Sequence, residues 1–202
     1  MTSSDLKQIQ ISSAIDLFSE GEVNQALDAV QDLLKDYPNE PVLFNIKGAC
    51  YADLGQLDVA VTNYKEAITI KPDYAKAHFN LAGSLHDLGQ LETAVQSYQK
   101  AIEIDASYAE AYNNLGNVYQ ELKQVDSAVN SYKMALEIKP DYVAAQYSLG
   151  NTFMELGQLD EAVKSYKAAL KLKPEFAEPY YNLGAVFQDL ELLDDSVVSR
   201  SE

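Results

Sequence analysis

Histidine and cysteine, the side chains that most often carry catalysis or bind metals, are rare in this 202-residue chain. His78 and His86 are ~12 Å apart if they share a helix, which is too far for joint metal ligation without other ligands. Cys50 is the single cysteine, and its apolar surroundings favour a buried structural thiol. No acidic pair, calcium-loop spacing or phosphate-binding glycine loop is found. We therefore expect no catalytic, metal or cofactor site.

Amide side chains offer a different chemistry, because they recur every 34 residues. The column consists of Asn80, Asn114 and Asn182, with Ser148 in the fourth place. Asn117 and Asn151 form a shorter parallel set. An asparagine offers a donor and an acceptor, which match the acceptor and donor of an extended peptide backbone. The pattern favours peptide binding with little regard to sequence, although solvation or hydrogen bonds between repeats would also explain it.

A second column on the same period is acidic. Its members are Asp53, Asp87, Glu121, Glu155 and Asp189. Each lies near the C-terminal end of a predicted helix, where the helix dipole disfavours negative charge. The column therefore has two interpretations: a solvated edge that aids solubility, or a groove that selects basic peptides.

The elements that must position these side chains follow from the 34-residue period itself. Three further columns share it: Gly21, Gly55, Gly89 and Gly157; Ala60, Ala94, Ala128 and Ala162; and Tyr64, Tyr98, Tyr132 and Tyr166. Apolar residues at helical spacing form a first helix, helix A, and a second, helix B. The glycine separates the two helices, and prolines such as Pro140 close the unit. A carboxylate such as Asp126 is expected to cap helix B. Such a period indicates an array of stacked units.

Small residues on both helices explain how the unit packs. Helix A carries Gly48, Ala82, Gly116, Gly150 and Gly184, and helix B carries the alanine column. Without side-chain bulk the two backbones can approach closely, and the tyrosines fill the space around them. We therefore interpret the tyrosine column as core.

These residues resemble the tetratricopeptide repeat family. The family pattern is matched by Tyr112, Leu115, Gly116, Tyr119, Ala128, Tyr132, Ala135 and Pro140, and it recurs in register over nearly the whole chain. Lys47, Lys123 and Glu191 depart from it. The resemblance implies an all-α, right-handed solenoid of stacked antiparallel helix pairs.

The pattern divides residues 1–202 into repeats of a single solenoid. The repeats are a divergent N-terminal one over 6–40, full ones over 41–74, 75–108, 109–142 and 143–176, and a truncated one over 177–202. The last is expected to begin a second helix that stops at once, which leaves apolar residues such as Leu190 and Val198 uncovered. Self-association is the expected consequence.

The resemblance also implies that the A helices line a concave groove. Its predicted peptide-binding residues are the amides above together with Lys76, Phe79, Asn113, Tyr147 and Tyr181, and the acidic column forms its edge. The amides look like the asparagine ladder of O-linked N-acetylglucosamine transferases. Because Lys76 is the one groove cation at a suitable place, ligands resembling acidic chaperone tails are not expected.

Composition restricts the partners. The chain has 31 acidic and 15 basic residues, a net charge of −16, which repels nucleic acid and anionic lipid. No signal peptide or membrane-length apolar stretch is visible, and the lone cysteine fits a reducing compartment, so the cytoplasm is expected.

The sequence thus predicts a non-catalytic module that binds an extended peptide segment, with selection for basic peptides as one of the two interpretations of the acidic column. Two alternatives stay open: the substrate-presenting arm of a larger glycosyltransferase or sulfotransferase, and a scaffold that assembles end to end. A second copy of the chain is a further expected partner, bound through the C-terminal repeat to form a homodimer.

Overall fold

Helices account for all the regular structure in residues 3–198, the part of the backbone that this computed structural model describes; side chains are described for residues 5–188. Contacts divide the chain into two units, residues 1–106 and 107–202. Unit 1 contains α1 (Ser3–Ser19), α2 (Val23–Asp36), α3 (Pro41–Asp53), α4 (Leu57–Ile70), α5 (Ala75–Asp87) and α6 (Leu91–Ile104). Unit 2 contains α7 (Ala109–Glu121), α8 (Val125–Ile138), α9 (Val143–Glu155), α10 (Leu159–Leu172) and α11 (Ala177–Val198).

Within each unit every helix packs against the next one along the chain. The connections are only a few residues long, so neighbouring helices run antiparallel. The predicted fold class, an all-α solenoid of stacked antiparallel helix pairs, is confirmed. The division of the whole chain into six repeats of a single solenoid stays a prediction.

Each A-to-B turn is a helix stop in the left-handed conformation. Gly55 has φ +73°, its N–H donates to the Ala52 carbonyl at 2.9 Å, and the Gln56 N–H donates to the Tyr51 carbonyl at 2.8 Å. This pair of bonds defines the Schellman motif, which recurs at the other turn glycines. The carboxylate lies at the start of helix B as predicted, since Asp126 is in the first turn of α8, but the N-cap residue is Gln124 and it makes no side-chain cap bond.

Lys123 adopts the same conformation without being a glycine, at φ +60°. The left-handed region costs a residue with a Cβ ~1–2 kcal/mol. We expect Lys123→Gly to raise the free energy of unfolding by about 1 kcal/mol in a urea titration. The reciprocal change, Gly157→Lys at the next turn, should lower it by a similar amount. A Lys123→Gly variant no more stable than the parent would contradict this account of the turn.

The tyrosine column is core, as predicted. Tyr64, Tyr98, Tyr132 and Tyr166 are at most 2% exposed. A Cβ placed on Gly116 would lie 2.6 Å from the Tyr132 ring, and Gly48 and Gly150 meet Tyr64 and Tyr166 in the same way. Glycine on helix A therefore lets the following helix B approach closely enough for its tyrosine ring to lie on the backbone.

The last helix differs from the prediction. A turn was expected near Glu191, but α11 continues from Ala177 to Val198 without a break. Glutamate and lysine both enter the left-handed conformation less easily than glycine; Lys123 adopts it, whereas the helix continues through Glu191. The apolar side chains that were expected to be uncovered, from Leu190 to Val198, lie outside the described side chains.

Candidate functional site

The A helices of unit 1 line an open cleft of about 710 Å³ together with α1, which we call the unit 1 cleft. Its lining consists of Ile15, Phe18, Ser19, Val42, Asn45, Ile46, Ala49, Ala52, Asp53, Tyr64, Tyr74, Lys76 and Asn80. Three predicted site residues, Asp53, Lys76 and Asn80, are thereby brought together. The volume falls in the range of ~300–1,000 Å³ that is usual for ligand pockets.

An asparagine pair joins the two A helices of this cleft. The Asn80 side chain on α5 donates through Nδ2 to Oδ1 of Asn45 on α3, at 3.0 Å. The alternative in which the asparagines bond between repeats is therefore realised here. Each amide still has hydrogen-bonding capacity beyond this one bond, because an asparagine has two donor hydrogens and a two-lone-pair acceptor.

Unit 2 has a smaller, polar cleft of about 300 Å³, the unit 2 cleft. Its lining consists of Asn117, Gln120, Glu121, Tyr132, Ser148, Asn151 and Glu155. The Tyr132 hydroxyl donates to Asn117 Oδ1 at 2.8 Å, and the Tyr166 hydroxyl donates to Asn151 Oδ1 at 2.7 Å. The shorter amide set, Asn117 and Asn151, is therefore held in a fixed orientation at the cleft by hydrogen bonds from the hydroxyls of the core tyrosines.

Two side-chain hydrogen bonds between α7 and α9 hold Glu155 in place at this cleft. The Thr152 hydroxyl donates to Gln120 Oε1 at 2.6 Å, and Gln120 Nε2 donates to Glu155 Oε2 at 2.8 Å. Gln120 lies on α7 and the other two residues on α9. One exposed carboxylate of the predicted acidic edge is therefore ordered rather than freely mobile.

A third cleft, of about 340 Å³, brings together three other predicted residues: Tyr147, Tyr181 and Asn182. Asn182 Nδ2 lies 2.9 Å from Asn151 Oδ1, which is again a bond between repeats. Tyr181 is 82% exposed. A large aromatic ring left in solvent beside an ordered amide is suited to contact with a partner.

Asn113 is the most deeply buried of the predicted groove asparagines. It was placed in the groove, but it is only 4% exposed, and its Oδ1 is buried without a hydrogen-bond partner among the described atoms. Its Nδ2 donates to Asn114 Oδ1 at 3.1 Å. Asn113 occupies the column of Asn45, whose acceptor is satisfied by Asn80; Ser148 stands in the place of Asn80 and is shorter. Asn113 is thus buried to nearly the same degree as Asn45, which is 6% exposed, and its place in the groove stays a prediction.

The other predicted residues are distributed over the surface. Phe79 is half-buried, with its ring edge-on to Tyr98 at 5.7 Å between centroids. The carboxylates of Asp53, Asp87, Glu121 and Glu155 all belong to exposed residues, whereas the side chain of Asp189 lies outside the described ones.

Burial raises the pKa values of the cysteine thiol and of three core tyrosines, which keeps these groups in their unreactive neutral form. Burial raises the pKa of the Cys50 thiol to about 11, and Asp53 adds to the shift. Burial raises the pKa of Tyr132 to about 12 and that of Tyr166 to about 12, and it also raises the pKa of Tyr64. Groups with pKa values this high stay neutral near pH 7, so they do not supply a nucleophile or a general base.

The described residues contain neither a cluster of metal-binding side chains nor a membrane-spanning helix. His78 Nε2 lies 2.9 Å from the Pro72 carbonyl oxygen. Among the described residues no group of three or more metal-binding side chains converges. None of the described helices combines the length and hydrophobicity that a membrane crossing requires.

Sequence reasoning missed the apolar wall of the unit 1 cleft and one half of its asparagine pair. Ile15 and Phe18 come from the divergent first repeat, where they stand in the columns of Asn117 and Gln120 but carry apolar side chains. Asn45 lies on α3 and belongs to the column of Phe79, Asn113, Tyr147 and Tyr181. That column was visible in the sequence and could have indicated Asn45.

Models of known families match most of the chain. Models described as "TPR repeat" match residues 48–89, 84–123 and 150–190, and one described as "Tetratricopeptide repeat" matches residues 109–142. The chain belongs to the tetratricopeptide repeat family.

Individual relatives are more distant. The chain is 30% identical over 76 residues to a peroxisomal targeting signal receptor of Candida glabrata, covering 38% of this chain and 13% of the relative. It is 34% identical over 59 residues to Hsp70-Hsp90 organizing protein 2 of Arabidopsis thaliana, covering 29% and 10%. The chain therefore spans only a small part of the length of these curated relatives.

Among solved structures, the crystal structure of MamA superimposes with a TM-score of 0.73 at 28% identity, covering 82% of this chain and 96% of that one. The likeness extends beyond any one repeat. Fold and family together favour an interaction module over the enzyme arm and the end-to-end scaffold.

Proposed function

We propose that this chain is a non-catalytic protein-interaction module that binds an extended peptide segment against its A helices. The observation that carries the proposal is the unit 1 cleft, in which an asparagine pair lies beside an apolar wall. Ligand sites generally combine a mostly apolar lining with a few placed polar groups. Nothing in this cleft is activated for a reaction, so binding is the function its chemistry supports.

A peptide suits the cleft better than a small metabolite because the cleft offers amides for the polar backbone groups of a peptide and an apolar wall for its apolar side chains. The amides of Asn45 and Asn80 can donate to a backbone carbonyl and accept from a backbone N–H. Ile15, Val42 and Ile46 can receive an apolar side chain. Each such hydrogen bond adds ~0.5–1.5 kcal/mol, so affinity requires the amide and apolar contacts together.

The amides of unit 2 extend the same chemistry in our proposal. Asn114, Asn117, Asn151 and Asn182 would act with Ser148 as a ladder like that of O-linked N-acetylglucosamine transferases. The exposed carboxylates of Glu121 and Glu155 at the unit 2 cleft would favour basic groups there. Contact with Tyr147 and Tyr181 would add aromatic area.

The partner is accordingly a protein or peptide. Two relatives carry names of this kind, a receptor for a targeting signal and an organizing protein for Hsp70 and Hsp90. The net charge of −16 disfavours nucleic acid and anionic membranes. A reducing compartment such as the cytoplasm suits the buried, unpaired Cys50.

Pairing of two copies through the last repeat is also part of the proposal. Tyr180, Tyr181 and Phe187 on α11 are 56%, 82% and 44% exposed. Among the described residues no atom lies within 4 Å of a Cβ placed on Gly184, whereas the equivalent Gly150 is covered by Tyr166. This face could receive a helix of the type that covers the earlier repeats.

The test of peptide binding is selection from a random peptide library, followed by affinity measurement with matched variants. Ile15→Lys places a positive charge in the cleft wall. Val59→Lys places the same charge on α4, outside the cleft. The two substitutions are matched because the Ile15 and Val59 side chains are 40% and 39% exposed. We expect Ile15→Lys to weaken the selected peptides about tenfold or more, since it removes an apolar contact and introduces a charge.

Val59→Lys should bind like the parent, and circular dichroism should show all three proteins equally helical. A library that yields no binder would contradict the proposal. Binders that respond alike to both substitutions would contradict the placement in the unit 1 cleft.

A further inference from the structure

We propose that the unit 1 cleft selects peptides by a pair of opposite charges, an acidic group directed to Lys76 and a basic group directed to Asp53, about five or six residues apart. This inference rests on the proposed peptide binding and adds the chemistry of the preferred ligand. It differs from selection for basic peptides, which the acidic column alone would suggest.

The first observation is that the charges of the cleft are few and separated. Among the residues that line it, Asp53 and Lys76 are the charged ones. Both residues are exposed, and neither has an ion-pair partner within the described side chains. Each charge is therefore available to a ligand.

The second observation is that the two charges stand at opposite ends of parallel helices. Because α3, α4 and α5 alternate in direction, α3 and α5 run parallel. Asp53 is the last residue of α3, and Lys76 is the second residue of α5. Lys76 corresponds to Val42 one period earlier, so the two charges differ by 11 residues of helix, or ~16 Å of rise.

The spacing of the ligand charges follows from this geometry. Neighbouring helices lie ~10 Å apart, so the diagonal between the two positions is ~19 Å. An extended peptide advances ~3.3 Å per residue, which places its matching charges about five or six residues apart. Asn45 and Asn80 lie on the same two helices and are placed to hold the backbone of such a segment.

The third observation is that each charge has the same sign as its helix end. The N-terminus of a helix carries partial positive charge, which Lys76 at the start of α5 reinforces. The C-terminus carries partial negative charge, which Asp53 at the end of α3 reinforces. Both placements disfavour the isolated helix and strengthen the two poles of the cleft, as expected if the poles recognise a ligand.

The experiment uses the full chain and end-blocked peptides built on a sequence that the library selects. Four peptides carry Asp and Lys, Lys and Asp, two Asp or two Lys at positions about six residues apart, around the same apolar centre. Affinities are measured by fluorescence anisotropy at an ionic strength of about 0.15 M, where long-range charge is largely screened. We expect the opposite-charge peptide whose acidic residue reaches Lys76 to bind about two- to fivefold more tightly than either like-charge peptide, and the peptide with the reversed order to bind more weakly.

Variants of the two poles should change the preferred peptide in a defined way. Lys76→Glu should make the two-Lys peptide the tightest, and Asp53→Lys should make the two-Asp peptide the tightest. The double variant with Asp53→Lys and Lys76→Asp should again prefer opposite charges. The control is Lys65→Glu, because Lys65 is an exposed residue on α4 outside the cleft. This variant changes the net charge by the same amount as Lys76→Glu and should keep the peptide preference of the unsubstituted protein.

The outcomes separate this inference from the function beneath it. If the peptides bind but Lys76→Glu and Lys65→Glu act alike, only net charge matters and the inference is overturned while peptide binding stands. If the parent prefers the two-Lys peptide, the inference is likewise overturned. If none of the peptides binds any of the proteins, both proposals fail.

Discussion

A Gly116→Val variant should lose about 2–3 kcal/mol of unfolding free energy. The physical reason is the ring of Tyr132, whose Cε1 would lie 2.6 Å from a Cβ at position 116. The ring has little room to move, since Tyr132 is 1% exposed and its hydroxyl donates to Asn117. A valine adds three carbon atoms to this contact, so α7 and α8 must separate. Urea unfolding followed by circular dichroism measures the loss.

Gly184→Val is the matched control. It is the same substitution in the same column of helix A, but within the described part of the chain no atom lies within 4 Å of its Cβ. Valine is a better helix former than glycine, so this variant should be as stable as the parent or slightly more stable. Equal losses at positions 116 and 184 would show that close helix contact does not explain the glycine column.

Alkali should unfold the protein through its buried tyrosines. Burial raises the pKa of Tyr132 to about 12 and that of Tyr166 to about 12, and it also raises the pKa of Tyr64, all from an ordinary value of 10.0. In each case the neutral phenol is the form that the fold accepts. The stability these groups confer is therefore complete below pH 10 and lost as the pH rises from there toward 12.

The expected effect is large because the groups act together. A rise of two pKa units corresponds to ~2.7 kcal/mol of unfolding free energy per tyrosine once the pH has passed the folded-state pKa. Urea titrations from about pH 8 to about pH 11 should show little change at first and then a steep fall. Tyrosinate absorbance should show exposed tyrosines ionising first and the buried ones only with unfolding.

A Tyr132→Phe variant serves as the control for this titration. It removes one phenol from the core and leaves the ring on Gly116. At neutral pH it should cost about 1 kcal/mol for the lost bond to Asn117. Above pH 10 its stability should fall less steeply than that of the parent. If the parent keeps its full stability through pH 11, the account of the buried tyrosines is wrong.

Some of the architecture could be predicted from the sequence because its causes are local. A glycine such as Gly55 marks a helix stop through its own backbone freedom. A small residue such as Gly116, paired in register with Tyr132, marks a close contact through size alone. The 34-residue period converts these local signals into the order of the helices, which the structure confirms as a stack of antiparallel pairs.

The amide chemistry could not be predicted in the same way because it depends on which partner each side chain meets. Asn80 and Asn182 share a column, yet Asn80 bonds to Asn45, whereas Asn182 donates to Asn151 at 2.9 Å and, at a longer 3.4 Å, to Tyr147, the residue in the column of Asn45. Asn113 looks like a groove residue in the sequence and is buried in the structure. Such choices depend on rotamers and on the offset between neighbouring helices, which a period does not encode.

The cleft wall from α1 was missed for a related reason. The first repeat lacks the tyrosines, and although Gly21 sets its register, its apolar residues do not repeat the amide pattern that marks the predicted groove. Ile15 and Phe18 become part of a site only because α1 packs beside α3. The N-terminal repeat therefore contributes to the proposed binding surface as well as covering one end of the core.

Nuclear magnetic resonance mapping of a selected peptide on the labelled chain tests the central claim most directly, because it locates the ligand without substitutions. We predict that peptide addition shifts the amide resonances of Ile46, Ala49, Lys76 and Asn80 along the unit 1 cleft and leaves those of Val59 and Lys65 on α4 in place. Shifts confined to the exposed faces of the B helices, with the cleft unchanged, would contradict the account.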